Sequence, residues 1–342
     1  MTKKTTIYDI AKKLNITAAT VSRALNNNPK ISKSTKEIVL RTAAEMNYEQ
    51  NKLAQALKNG KSFNVGVIVS RIDSNFFASI IRGIEEELFN HGYHVIICQT
   101  NNNENMEAEN INTLLNAQVD GILMSISNIN IDKNDAFKRI LNKKIPLLFF
   151  DRKKSIPGIS SITIDDFSAG YKATQHLIDE GCKRISHLTV DRNFEIFRDR
   201  FLGYQKALSD NNILFDESLV IETKSNIEAG KDAAKKLLKL KNPPDAIFSS
   251  SDFSALGAIQ EIKTQGIKIP QDICVVGFSN EPFTKFMELS ISSIDQSPIE
   301  MGKTTARVFI EQVKNKEKHI EQKVVLDPTL IVRKSSSRKE KI

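Results

Sequence analysis

The sequence predicts an α/β protein: a small all-α head followed by a body of two doubly wound parallel-sheet subdomains. Three observations predict it. Residues 6–25, TIYDIAKKLNITAATVSRAL, set apolar side chains at helical spacing on both sides of a tight turn. From Asn64 onward, short β-branched runs alternate with amphipathic helices, and that alternation occurs twice. Charge divides at the same place: residues 1–61 hold 12 Lys and Arg against 4 Asp and Glu, while residues 62–332 hold 32 against 36. A basic small domain on an acidic body is what counterion release from phosphates favours.

In the head, Thr6 stands three residues before Asp9, so a hydroxyl and a carboxylate can serve the free N–H groups of a first helix. Ile7, Ile10, Ala11 and Leu14 repeat along it, and Asn15 turns the chain. Thr17 caps a second helix with Val21, Ala24 and Leu25 inward and Ala18, Ala19, Ser22 and Arg23 outward. Ile31-Ser32 opens a third helix with Ile38, Val39, Thr42, Ala43 and Met46 on one face. A helix-turn-helix lays the first residues of its second helix on base edges in the major groove. The pattern alone equally describes an ordinary helical hairpin, and the basic charge is what separates the two.

Residues 47–62, NYEQNKLAQALKNGKS, read as a polar linker with a conditional helix at Leu53, Ala54 and Leu57. Its Gly60-Lys61-Ser62 end imitates a phosphate loop, but Gln55 stands where that loop needs Gly and no strand precedes it.

In the body, Val65–Val69, Tyr93–Cys98, Gly121–Met124 and Pro146–Phe150 are expected to build a first parallel sheet. Ser161–Ile164, Arg184–Leu188, Leu219–Glu222, Ala246–Ser249 and Cys274–Phe278 are expected to build a second. Ser293–Asp295 and the helix from Pro298 are expected to cross back to the first, with Glu321–Leu326 and Thr329–Val332 returning to the second. Ligands of such sheets sit outside the carboxyl ends of the strands, so two facing sheets form a cleft for a small molecule. G-x-G-x-x-G is missing after the first strand of each sheet, and no G-x-S-x-G, H-E-x-x-H or C-x-x-C occurs, so neither an enzyme nor a cofactor is expected. Cys98, Cys182 and Cys274 are far apart and read as buried thiols. The longest apolar run, Ile145–Phe150, is well short of the roughly 18 residues of a membrane span, and the basic start MTKK is unlike an export signal, so a cytoplasmic protein is expected. The ending RKSSSRKEKI reads as a solvated, frayed tail.

These segments together resemble the lactose-repressor (LacI) family of bacterial transcription regulators over nearly the whole chain. The resemblance is carried by TIYDIAKKLNITAATVSRALN, NKLAQAL, VGVIVSRIDSNFFASIIRGIEEEL, VDGILM, LLFFDR, FRDRFLGYQKAL, DAIFSSSDFSALGAI, IPQDICVVGF and SSIDQSPIEMG, in order and spacing. It implies a helix-turn-helix head at 1–50, a hinge helix and linker at 51–62, and a periplasmic-binding-protein-like core. The core subdomains are expected at 63–163 with 293–320 and at 164–292 with 321–334, and a disordered tail at 335–342. By this similarity Ala18, Ala19 and Arg23 face bases, Tyr8, Thr17, Thr20 and Ser22 approach phosphates, and Leu57, with Asn51 beside it on the hinge, wedges into the minor groove. Arg can donate to a guanine edge and Ala methyls can touch thymine methyls, while an apolar wedge kinks a flexible step.

The resemblance also places a small effector, a sugar or sugar derivative, among Asp73, Phe76, Phe77, Asp151, Arg200, Asp252, Phe253, Ser279 and Gln296. Plainer readings stand beside it: Asp252 caps its helix, Phe76 and Phe77 are core, and Asp151 pairs with Arg152. The chain departs from the family at two points: Gly277-Phe278-Ser279 stands where Gly-Phe-Asp is usual, and Gln50 replaces the Pro before the hinge. The implied function is a homodimeric repressor on a two-fold symmetric DNA operator, its affinity controlled by the effector. The alternative is a sugar-binding protein without a DNA role, which leaves the basic head unexplained.

Overall fold

The computed structural model describes residues 5–49, 60–127, 134–315 and 320–338. The hinge positions Asn51 and Leu57 lie outside the described residues. The chain forms two compact units, Met1–Ser62 and Phe63–Ile342.

The head consists of α1 (Ile7–Leu14), α2 (Ala18–Leu25) and α3 (Lys33–Glu45). The capping box at the start of α1 is complete: Thr6 N–H donates to Asp9 Oδ2 at 2.9 Å, and Asp9 N–H donates to Thr6 Oγ1 at 3.4 Å. Asn15 ends the helix in the left-handed region, φ 52°, a conformation Asn tolerates. Thr17 and Ser32 cap α2 and α3 through Thr20 N–H and Thr35 N–H. Ile10, Ala11, Val21, Ala24, Val39 and Ala43 close a small core. Ile38, expected on the inner face of α3, is instead 43% exposed; Val39 takes the buried position, and on a helix of 3.6 residues per turn consecutive residues cannot share the centre of a narrow inner face.

The body carries two six-stranded sheets. The first holds β1 (Asn64–Val69), β2 (His94–Gln99), β3 (Gly121–Met124), β4 (Leu147–Phe150), β5 (Ser160–Ile164) and β11 (Lys323–Leu326), in the order β11-β5-β4-β3-β1-β2. The second holds β6 (Ile185–Thr189), β7 (Val220–Glu222), β8 (Ala246–Ser249), β9 (Cys274–Phe278), β10 (Ser292–Asp295) and β12 (Thr329–Ile331), in the order β12-β10-β9-β8-β6-β7. Among the described residues every strand pairing is parallel except β10 with β12. The central strands are buried along their length, as strands covered on both faces by helices must be.

Three strands join the sheet opposite to the expected one. β5 pairs with β4, Phe149 opposite Ser161, and lies in the first sheet. β10 pairs with β9, Ser293 opposite Gly277, and lies in the second. β11 pairs with β5, Val324 opposite Ile162, and lies in the first. The body chain therefore crosses between sheets after β5, after β10 and between β11 and β12. The local pattern marks a short β-branched run as a strand but does not say which sheet it joins; packing against its cross-strand neighbours decides that.

Helices α4 (Asn75–Phe89), α5 (Glu104–Asn116), α6 (Asp135–Lys143), α7 (Asp166–Asp179), α8 (Glu195–Asp210), α9 (Ile227–Leu238), α10 (Asp252–Thr264), α11 (Phe283–Phe286) and α12 (Pro298–Lys314) cover the sheets. The pairs α4/α12, α7/α8 and α9/α10 each touch backbone to backbone at reciprocal glycines. A Cβ on Gly83 would meet the Ile299 carbonyl, one on Gly170 the Arg200 carbonyl, and one on Gly230 the Ser254 carbonyl.

The ending is not frayed through Arg338. Ser335 and Ser336 are fully buried. Ser335 Oγ donates to the Val275 carbonyl at 2.6 Å, Val275 N–H donates to the Ser335 carbonyl at 2.8 Å, and Ser336 Oγ donates to Ser292 Oγ at 2.6 Å. Serines that look solvated in the sequence here satisfy backbone groups of the second sheet.

Candidate functional site

The first site is a face of the head. Thr17 opens α2 with its side chain engaged in the cap, its Oγ1 2.9 Å from Thr20 Oγ1. Ala19 and Arg23 are exposed, Thr20 and Ser22 half-buried, and Tyr8 on α1 is 71% exposed. Ala18 differs from its neighbours: it is half-buried and packs on the core of the head. Arg23 has a whole guanidinium to offer, whereas the two alanines offer only methyl groups.

The second site lies at the carboxyl ends of the body strands. A pocket of about 150 Å³ is bounded by Ile126 and Ser127 after β3, Asp151 to Lys154 after β4, Thr163 on β5, Asp166 on α7, and Asn193 to Ile196, Arg198 and Asp199 around the start of α8. That is about the volume that admits a single six-membered ring. Asp151 is held at φ 61°, a left-handed conformation that costs a non-glycine residue on the order of 1 kcal/mol or more and that clusters at ligand sites. Its Oδ2 accepts from Ser125 Oγ at 2.8 Å and lies 3.8 Å from Arg152 Nε. Burial raises the Asp151 carboxyl above its ordinary range against the pull of Arg152 and Ser125. Arg152 is lowered by the same burial. Its guanidinium stands 5.0 Å from the Phe194 ring centroid, and Lys153 Nζ lies 3.9 Å from Glu195. Strand ends of the first sheet thus meet the first turn of α8.

Behind the pocket wall, Arg200 Nε donates to Asp166 Oδ1 at 2.7 Å, and both residues are buried. Burial pushes the Asp166 carboxyl up to about 7, with Arg200 opposing. The Arg200 guanidinium rests on the Phe278 ring, 3.6 Å from its centroid. The next residue, Ser279, has φ 102°, and its Oγ accepts from Gln296 Nε2 at 3.1 Å. Asp151, Arg200, Ser279 and Gln296 are therefore joined into one neighbourhood through Asp166 and Phe278.

The other expected contacts lie elsewhere. Asp73 is exposed and paired with Arg71 at 2.7 Å. Phe76 and Phe77 are buried edge to face in the core, 5.2 Å apart. Asp252 is buried, accepting from Glu281 N–H at 2.8 Å and Ser293 Oγ at 2.7 Å, and Phe253 packs on Phe283. Asp252 Oδ1 also fills the space a Cβ on Gly277 would need.

The family models match both units. Residues 6–51 match "Bacterial regulatory proteins, lacI family", and residues 62–330 match "Periplasmic binding proteins and sugar binding domain of LacI family". The chain belongs to the lacI family. This lacI-family chain is 32% identical to the transcriptional regulator DegA of Bacillus subtilis (strain 168), over 98% of each chain. It is 32% identical to the transcriptional repressor CytR of Escherichia coli (strain K12), over 97% of this chain and 96% of that one. Among solved structures, the transcriptional regulator CelR in complex with cellobiose is 26% identical with a TM-score of 0.73, covering 97% of this chain and all of that one. The lac repressor dimer bound to operator is 24% identical with a TM-score of 0.87, covering 98% and 99%, and shows the shared fold. The protein is a DNA-binding transcription regulator of the lacI family with a periplasmic-binding-protein-like effector domain.

Sequence reasoning missed Asp166, Phe194 and Glu195, and treated Arg152 only as a partner for Asp151. Asp166 had a signal, since it follows a β-branched run in SSITIDD as Asp151 follows LLFF. Phe194 and Glu195 had none, because they reach the pocket only through the packing of α8. Among the described residues no group of His, Cys, Asp and Glu could hold a metal, and no helix is long and apolar enough to cross a membrane.

Proposed function

We propose that the protein is a homodimeric repressor of a two-fold symmetric operator, that it acts in the cytoplasm without turning over a substrate, and that a small sugar or sugar derivative in the body pocket sets its operator affinity. The observation that carries the effector half is the buried Asp151–Arg152 and Asp166–Arg200 charges gathered at the strand ends around a pocket of ring size. Charges buried at such a place mark functional sites more often than they stabilise a fold. The relatives support both halves: CytR is named a repressor and the lac repressor was solved as a dimer on operator, while CelR was solved with cellobiose.

On this reading Ala18, Ala19 and Arg23 meet base edges. Tyr8, Thr17, Thr20 and Ser22 meet phosphates, and Asn51 and Leu57 order the hinge on the minor groove. Asp151 meets the effector at the pocket wall, Arg200 holds Asp166 there, and Ser279 and Gln296 lie beyond Phe278. Asp73, Phe76, Phe77, Asp252 and Phe253, expected at the effector, are not among the residues that wall this pocket. An effector that favours one spacing of two paired bodies shifts hinge docking, with a coupling of roughly 1 to 3 kcal/mol.

The test is operator binding. Sequences selected from random DNA by the full-length protein should be palindromic, with affinity falling steeply as salt rises. A neutral sugar that raises the melting temperature should change affinity for the selected site and not for random DNA. Salt-independent binding, or a selected pool without symmetry, would sink the proposal.

A further inference from the structure

Two of the three cysteines, far apart in the chain, meet at the amino ends of the second sheet, the ends opposite to those that border the pocket. One residue brings them there. Asp245, just before β8, accepts from Lys183 N–H and Arg184 N–H through its two carboxylate oxygens, each at 2.8 Å, and from Cys274 N–H through its backbone carbonyl at 3.0 Å. Cys182, between α7 and β6, and Cys274, the first residue of β9, are buried in the same apolar cluster. Their side chains are in contact, with the Cys182 thiol hydrogen-bonded to Cys274, and both are free thiols.

A cation stands beside the pair. Cys274 Sγ donates to the Pro270 carbonyl at 3.4 Å, and Arg338 Nε donates to that same carbonyl at 2.9 Å. The other bonds of the Arg338 guanidinium go to the Asp245 and Asp272 carbonyls, so its charge stays available to a thiolate. Contact with the Cys182 thiol lowers the Cys274 thiol below its ordinary range, and Arg338 pulls the same way against burial. The same contact, with burial, raises Cys182. Access comes from the other side: Cys182 lines a surface cavity of about 660 Å³ with Ile178, Lys183, Tyr204, Leu208 and Leu214, which gives a molecule as small as hydrogen peroxide a path to its sulfur.

We infer that Cys182 and Cys274 form a redox-active dithiol, closed to an intramolecular disulfide by hydrogen peroxide or an organic hydroperoxide and reopened by a dithiol reductant. With Cys274 ionised, Cys182 passes its proton to Cys274 as its own sulfur attacks one peroxide oxygen. The O–O bond breaks, hydroxide leaves, and Cys182 becomes a sulfenic acid. Cys274 Sγ then attacks Cys182 Sγ: the S–S bond forms, the S–O bond breaks, and the departing hydroxide takes the Cys274 proton as water. The two sulfurs lose one electron each and the peroxide gains two. Closure takes the Cys274 donor away from the Pro270 carbonyl and from the Ser336 carbonyl, 3.7 Å away in the buried terminal segment. In a reducing compartment a disulfide of this kind is transient and redox-sensing.

The experiment uses the full-length protein with Cys98→Ser, which removes the half-buried third thiol from competition. Treated with hydrogen peroxide while folded, it loses two hydrogens in mass with no covalent link between chains, digestion yields the Cys182 and Cys274 peptides joined, and dithiothreitol restores both thiols. Cys182→Ala and Cys274→Ala in the same background each abolish that mass loss. The joined peptides are read in a chain with both cysteines intact, so an alanine variant that fails to fold leaves the test standing. A gain of oxygen without a cross-link, no reaction with peroxide, or a disulfide that forms only after unfolding in urea overturns the inference.

Discussion

Arg200 donates to Asp166 at 2.7 Å and stacks on Phe278, so one guanidinium ties the first turn of α7 to the carboxyl end of β9. The planar fork supplies the hydrogen bond and the flat face supplies the stack, a combination an ammonium group cannot reproduce. Arg200→Ala leaves Asp166 buried and unpaired. It is expected to cost on the order of 3–5 kcal/mol in urea unfolding and to abolish the effector response, with Arg200→Lys recovering only part of either. A loss below about 1 kcal/mol would show the pair to be dispensable.

Asp252 gives the stability a pH dependence. Its folded pKa is about 7 because burial outweighs the hydrogen bonds from Glu281 N–H and Ser293 Oγ, against an ordinary value of 3.8. The folded state keeps a proton that the unfolded chain has released, so this contribution is whole below pH 3.8 and is lost as pH rises through about 7. Asp166 acts in the same direction. The melting temperature should fall between about pH 5 and pH 8, and less steeply in Asp252→Asn, where the Ser293 hydroxyl can rotate to accept from the amide. Equal slopes in the two proteins would contradict the assignment.

Gly170→Ala puts a methyl group against the Arg200 carbonyl, so α7 and α8 must separate at the point that fixes Arg200. A loss of roughly 1–3 kcal/mol is expected, with weakened effector binding. Gly158→Ala is the informative contrast: its φ of 81° strains alanine, but its Cβ meets no atom. It should destabilise without touching effector affinity.

In the head, Arg23→Ala is expected to cut affinity for the selected operator by about tenfold or more and affinity for random DNA far less, as removal of a bidentate base contact does. Tyr8→Phe should weaken both alike. Leu57→Ala should act as Arg23→Ala does, and equal loss on both DNAs would count against a wedge.

Much of the fold was legible because it depends on local pattern. The Thr6–Asp9 box, the Asn15 turn and the Thr17 cap are contacts between residues within one turn of each other, and sequence spacing fixes them. β1, β3, β4, β8 and β9 announced themselves as apolar runs. The sheet membership of β5, β10 and β11 was not legible. It depends on packing against cross-strand neighbours, a relation between residues as far apart as Ile162 and Val324. Serines 335 and 336 were misread as solvated for the same reason: their partners, Val275 and Ser292, are in the second sheet.

The sequence by itself determined a basic three-helix head on an α/β body, and the family resemblance named nine effector positions, of which Asp151 lines the pocket. The tertiary structure decided which charges meet. Asp151 shares a pocket with Phe194 and Glu195, Arg200 pairs with Asp166, and Asp73 turns outward to Arg71. The physical reason is that capping and periodicity act over a few residues, whereas burial of a charge depends on every element packed around it, and only the packed chain brings those elements together.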